Sequence, residues 1–383
     1  MKSTLVIALA SLGLLAGCAG QVEPETPPKE LTSFTERVTL DNLWSLQVGD
    51  GLGEARYPIS PAQDGDTLFA ADAEGELMAI DAANGKRRWT VTLDHPVSSG
   101  LTAVAERLYL GTRNGEVLAI DQANGKVLWR SRVPSEVLAA PQPNQQQLVV
   151  QSVDGSVTAL ERESGAEQWV YTTSDPALTL RGTGTPRVIE PVTFAGFANG
   201  RVATLDNRSG QPLWEQRIAV PKGRSEVDRL IDLDGEPLLT RDGRLYLTSY
   251  HGRLVALEAQ SGELIWERDI SSYLSPLLVG ETLFIIDDAS HVLALDALSG
   301  QLKWRSNTLE GRQLTAPAFA DGKLVLGDFE GYVHLLDATD GRLAGREHID
   351  SSGISLRPLT DGRRIHALAN DGRLEALEIR ELP

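Results

Sequence analysis

The 383-residue chain contains a single cysteine. One thiol allows no intramolecular disulfide and no cysteine-rich zinc site. Basic residues are also short: 36 Lys and Arg stand against 53 Asp and Glu, a formal charge of −17. A chain this acidic lacks the basic footprint that nucleic-acid binding requires, and its folded surface is not drawn to anionic lipid. Aromatic residues make up only 5 %. No apolar run reaches the ~20 residues of a membrane-spanning helix. What is present, 41 % hydrophobic and 23 % charged residues, is near the globular average and excludes wholesale disorder and a polytopic membrane protein. Length alone would suit two or three domains at roughly 100–200 residues each.

The longest apolar run, residues 5–15, follows Lys2. It has the length of a signal-peptide hydrophobic segment. It leads into Leu15-Ala16-Gly17-Cys18, which resembles the bacterial lipobox and contains the only cysteine. The resemblance implies a lipoprotein signal peptide at 1–17 and lipidation of Cys18. An ordinary secretory peptide with an incidental cysteine is the alternative. One acyl chain anchors a protein only marginally; the diacylglyceryl and N-acyl groups of such lipoproteins supply the further chains. Ala19, in place of Asp, resembles the outer-membrane sorting pattern. From Cys18 to residue 37 the chain is rich in Pro and Glu and is expected to be a flexible tether.

A repeat sets the expected fold. Trp44, Trp89, Trp129, Trp169, Trp214, Trp266 and Trp304 are spaced by 45, 40, 40, 45, 52 and 38 residues. Periods near 40 point to propellers or solenoids. Each unit reads as strand, tight turn, strand, tight turn, strand, as in LYLGTRNGEVLAIDQANGKVLW ending at Trp129. Glycines recur at the second turn (Gly85, Gly125, Gly165, Gly210, Gly262, Gly300, Gly341), where hairpins need positive φ. A further strand precedes each unit, often with Ser or Ala before Pro. Four strands per repeat describe a propeller blade. Seven complete units and the terminal NDGRLEALEI predict an all-β, eight-bladed propeller over 38–383. The segment TLDNLWSLQV around Trp44 has no blade of its own and is expected to close the ring as the missing strand of the eighth. A linear solenoid would leave Trp44 unexplained and would need polar caps. The tryptophans are read as packing between blades. Gly345 occupies the tryptophan position of the seventh unit, which predicts looser packing there.

Catalytic motifs are scarce. The D-x-x-x-G-x-x-x-W repeat resembles the tryptophan motif of pyrroloquinoline-quinone dehydrogenases, so a quinoprotein enzyme is one reading. The adjacent cysteine pair typical of those enzymes is absent. His95, His251, His291, His334, His348 and His366 show no metal-ligand spacing. Asp232-x-Asp234-Gly235 is a fragment of a calcium loop without its distal Glu. No catalytic residue, metal site or cofactor is assigned, and the chain is expected not to be an enzyme.

The repeat is stretched after Trp169 and Trp214, in connections that must leave the same face of neighbouring blades. Adjacent long loops on one face are a natural place for function. The first reads TTSDPALTLRGTGTP and carries Leu178, Leu180 and Arg181; the second reads VPKGRSEVDRLIDLDGEP and carries Asp232 and Asp234. The same loops serve a plainer reading, in which their leucines pack on the blades. Lipobox, tryptophan-motif propeller, LTLRG and EVDRLIDLD together resemble the BamB family, the propeller lipoproteins of the outer-membrane β-barrel assembly (Bam) machinery. The resemblance spans the chain, with GDFEGYVHLLD and DSSGI adding to it. It implies a lipid-anchored scaffold on the periplasmic face of a Gram-negative outer membrane. The implied partner is the POTRA region of BamA, reached through Leu178, Leu180, Arg181, Asp232 and Asp234. It also implies help in folding and inserting barrel proteins, with unfolded precursors as further candidate partners. An envelope-polymer-binding propeller is a third reading, although most aromatic residues are already used in the repeat strands.

Overall fold

The computed structural model describes residues 27–173, 184–220 and 230–383. These form eight four-stranded antiparallel sheets arranged as the blades of a ring, with each of blades 1 to 7 drawn from consecutive strands. The blades cover residues 62–92, 102–132, 142–171, 187–217, 238–268, 277–306 and 318–348 in turn. The eighth takes its three inner strands from 359–381 and its outermost from the other end of the chain. Val38–Gln47 lies antiparallel to Arg373–Glu381, with Val38 opposite Glu381 and Gln47 opposite Arg373. The expected closure by the N-terminal segment is present, and the ring has no free inner edge at the seam.

The second and third strands of each blade are fully buried apolar runs such as Leu108, Tyr109, Leu110 and Val117 to Ile120. Burial on both faces explains why these strands read as continuous apolar runs rather than as alternation. The outer strands alternate instead, with Leu128, Leu213, Leu264 and Leu302 about half exposed on the circumference.

The tryptophans link blade to blade. Each indole N–H donates to a backbone carbonyl of the next blade: Trp44 to Ala82, Trp89 to Gln122, Trp129 to Arg162, Trp169 to Asn207, Trp214 to Ala259, Trp266 to Ala297 and Trp304 to Ala338, at 2.7–3.3 Å. The rings lie against the turn glycines of that next blade. At Gly125 (φ +74°) a Cβ would sit 2.9 Å from the Trp89 ring, so both conformation and contact require glycine. A register shift ahead of each turn sets the tryptophan opposite a small residue, as in Ala119 opposite Trp129 and Ala294 opposite Trp304.

Blade 7 reverses this pairing: Gly345 lies opposite Leu335. The expected looseness there is not seen. Gly345 is buried, a Cβ on it would lie 2.7 Å from the Val38 carbonyl oxygen, and Val38 is fully buried beside it. The next blade offers no turn for a tryptophan to cover, because its outer strand comes from the N-terminus and fills that space itself.

The two faces of the ring differ. One carries the tight turns that receive the tryptophans and is called here the turn face. The other, the loop face, carries the hairpin turns between second and third strands together with the connections between blades. Residues 29–37 also lie against the propeller, although this stretch reads as part of a tether. Lys29 N–H donates to Glu310 O at 2.9 Å and Arg37 N–H to Ala344 O at 2.8 Å. No helix among the described residues is long and apolar enough to cross a membrane.

Candidate partner interface on the loop face

Both stretched connections leave the loop face, on either side of blade 4. Cys18, Leu178, Leu180 and Arg181 lie outside the described residues. The described end of the second connection, 230–237, is built from alternating residues. Ile231 and Leu233 are 3 % and 1 % exposed and pack onto blade 4, where Gly200 and Gly196 leave room for them. The intervening backbone extends the edge of blade 5: Tyr250 N–H donates to Asp232 O at 2.9 Å. The loop is therefore held on both sides.

The two acidic side chains face inward rather than outward. Asp232 is 3 % exposed, and its Oδ1 accepts the Leu233 N–H at 2.9 Å. Asp234 lines an axial cavity of about 370 Å³. That cavity is formed by the segments entering the inner strands of several blades, among them Ser60, Leu138, Thr185 and Tyr273. Burial pushes the Asp234 carboxyl up to about 7, against the opposing effect of its hydrogen bond with Asp232. Asp232 thus ties its own loop through the Leu233 N–H, while Asp234 faces the channel mouth. Nearby, Glu236 is raised by burial despite the charges of Arg187, 3.2 Å away, and Arg357. The Arg357 guanidinium is lowered by burial and partly restored by Glu236. Arg187 and Glu236 keep 43 % and 35 % of their side-chain surface exposed, and Arg357 is exposed as well, so solvent screens these charges.

The structure adds an aromatic cluster that the sequence reading passed over. The Tyr250 and His251 rings stack at 3.9 Å, and Tyr273 meets Tyr250 edge-on at 6.3 Å. The connection carrying Tyr273 is fastened to the Tyr250 turn: His251 N–H donates to Ser271 Oγ at 2.9 Å, and Ser272 N–H to Ser249 O at 3.1 Å. Tyr273 is 39 % exposed and Val220, across the neighbouring connection, is 50 % exposed. The signal was in the repeat. At this turn blade 5 reads Ser-Tyr-His-Gly, where blades 2 and 4 read Thr-Arg-Asn-Gly and Phe-Ala-Asn-Gly. Exposed tyrosine beside a rigid loop suits a protein-binding surface, because large contact area is gained at small entropic cost.

Comparisons with known proteins agree with this architecture. A family model described as "Outer membrane protein assembly factor BamB" matches residues 29–96, 83–306 and 288–382. The outer membrane protein assembly factor BamB of Pseudomonas aeruginosa is 50 % identical over 374 residues, covering 97 % of this chain and 98 % of that protein. The Escherichia coli protein of the same name is 32 % identical over 389 residues, covering 98 % and 99 %. Among solved structures, BamB from Moraxella catarrhalis superposes with a TM-score of 0.80 at 24 % identity, covering 88 % of this chain and 99 % of that one. The quinohemoprotein alcohol dehydrogenase of Comamonas testosteroni, with a TM-score of 0.70 at 12 % identity over 89 % of this chain and 76 % of its own, shares the fold alone. The chain belongs to the BamB family of outer membrane protein assembly factors.

Proposed function

We infer that the protein is a non-catalytic scaffold of the Bam machinery. It binds the POTRA region of BamA through the loop face of blades 4 to 6 and assists the folding and insertion of barrel proteins into the outer membrane. The observation that carries this reading is the match of the assembly-factor family across essentially the whole propeller. In this reading Cys18 carries the lipid that holds the protein on the periplasmic face of the membrane. Leu178, Leu180 and Arg181 supply apolar area and a cation to the partner. Asp232 and Asp234 act from behind: Asp232 holds the second loop through the Leu233 N–H and the backbone bridge to Tyr250, and Asp234 lines the axial cavity. Tyr273 and the Tyr250–His251 stack extend the same surface. Precursor barrel proteins and the rest of the Bam complex are the further partners.

The test is co-purification from mild detergent. Wild-type protein is expected to bring a BamA-type barrel with it. Arg181→Glu and Tyr273→Ala, each with unchanged thermal unfolding, are expected to lose most of it. Retention by both variants moves the interface elsewhere. Absence of the barrel from the wild-type preparation overturns the function.

A further inference from the structure

The closing strand begins at Val38 beside Glu381, on the turn face. A chain left free ahead of Val38 would leave from that face. Residues 29–37 instead run back across the outer edge of blade 7. Arg346 donates to Thr32 O at 3.2 Å and lies 5.2 Å from the Phe34 ring centroid. Leu31 packs against the core between blades 6 and 7, beside residues such as Leu309 and Leu314. Lys29 ends the run on the loop face, where its ammonium lies 3.0 Å from Asn307 O and 2.7 Å from the Glu310 carboxylate.

The clasp at that end is built into the core. Arg312 is 2 % exposed. Its Nε donates to Asp328 at 2.7 Å, its Nη2 reaches Glu330, and its Nη1 donates to Lys29 O at 2.9 Å. Asp328 is itself fully buried and also bonds His334 at 2.8 Å. A buried guanidinium so placed completes its hydrogen bonding only with the N-terminal strap in position, and an unmet buried donor is costly.

We propose that this strap is an orienting device, which carries the N-terminus from the turn face to the loop face so that the loop face looks toward the lipid bilayer. The proposal rests on the reading of Cys18 as lipidated. Lys29 lies eleven residue steps beyond Cys18. At roughly 3.3–3.6 Å each they span at most about 40 Å. The loop face over blades 6 and 7 is thereby tethered near the membrane, on the side that carries Tyr273 and both long connections. With the strap released, the chain would leave from Val38 on the opposite face.

The experiment uses the full-length acylated protein on vesicles bearing headgroup-level nitroxide lipids. Lipidated Cys18 has no free thiol, so one introduced cysteine takes the fluorophore. Asp288→Cys reports the loop face of blade 6 and Leu298→Cys its turn face. Quenching at 288 is expected to exceed that at 298 at least twofold. The excess is expected to vanish or invert when Lys29→Gly and Leu31→Asp are added. Amide exchange checks that these two changes free residues 29–36 while the blades stay protected. Equal quenching at both sites in acylated wild-type protein overturns the proposal, as does an excess that survives release of the strap. An intact mass without acyl chains overturns the lipid reading and the proposal with it.

Discussion

At the scale of single residues, the tryptophan and the glycine it covers act as one unit. Trp129 meets the Tyr109 ring at 6.2 Å, bonds Arg162 O at 3.1 Å and roofs Gly165. Trp129→Ala is expected to cost about 3–5 kcal/mol, read from the denaturant midpoint. Gly345→Ala tests the reversed pair. Its methyl has no room beside the Val38 carbonyl, and overpacking of this kind costs about 1–3 kcal/mol. Asp234 gives a pH signature. Its folded value near 7 lies above the ordinary 3.8, so the stability it contributes is full below about pH 4 and is lost as pH rises through about 7. The melting temperature is therefore expected to fall between about pH 4 and about pH 7 and to level off above that, and Asp234→Asn is expected to flatten that part of the profile. An unchanged slope in the variant would place the titrating group elsewhere.

At the scale of elements, the closing strand depends on both ends of the chain. Leu40 is 5 % exposed within the core shared by blades 7 and 8, and Asp41 pairs with Arg380 at 2.6 Å. Leu40→Ala is expected to cost about 2–4 kcal/mol and to raise amide exchange along 373–381 before other blades respond. Exchange that rises uniformly around the ring would mean that the seam is no weaker than the rest. Blade count, turn glycines and the closing strand were legible because each recurs, or conspicuously fails to recur, at a fixed place in a forty-residue unit. The strap was not legible. Its Pro- and Glu-rich composition matches an unbound linker, and its clasp, Arg312, lies 283 residues from Lys29. Gly345 misled for a related reason: the residue that fills its space, Val38, is a neighbour only once the ring has closed.

At the scale of the whole molecule, ring closure turns sequence-distant loops into one surface. It brings Ser60, Leu138, Thr185, Asp234 and Tyr273, drawn from five different connections, around one axial cavity. The spacing of the tryptophans located the stretched connections, but it carried no information on which side chains face the axis. Asp232 and Asp234 read as a pair aimed at a partner, and the fold places them inward, where Asp232 holds the loop and Asp234 lines the axial cavity. Tyr250 and His251 depart from the other blades at one repeat turn, but only packing on the loop face joins them to Tyr273. A single face thus gathers the long connections, the aromatic cluster and the end of the strap, while the turn face carries the repeated packing between blades. That division of labour between faces is the central claim. Photocrosslinking in cells tests it most directly, with a crosslinking residue at position 273 on the loop face or 298 on the turn face. The account predicts a crosslink to BamA from 273 and none from 298. A BamA crosslink from 298 alone, or from neither position in folded protein, would contradict it.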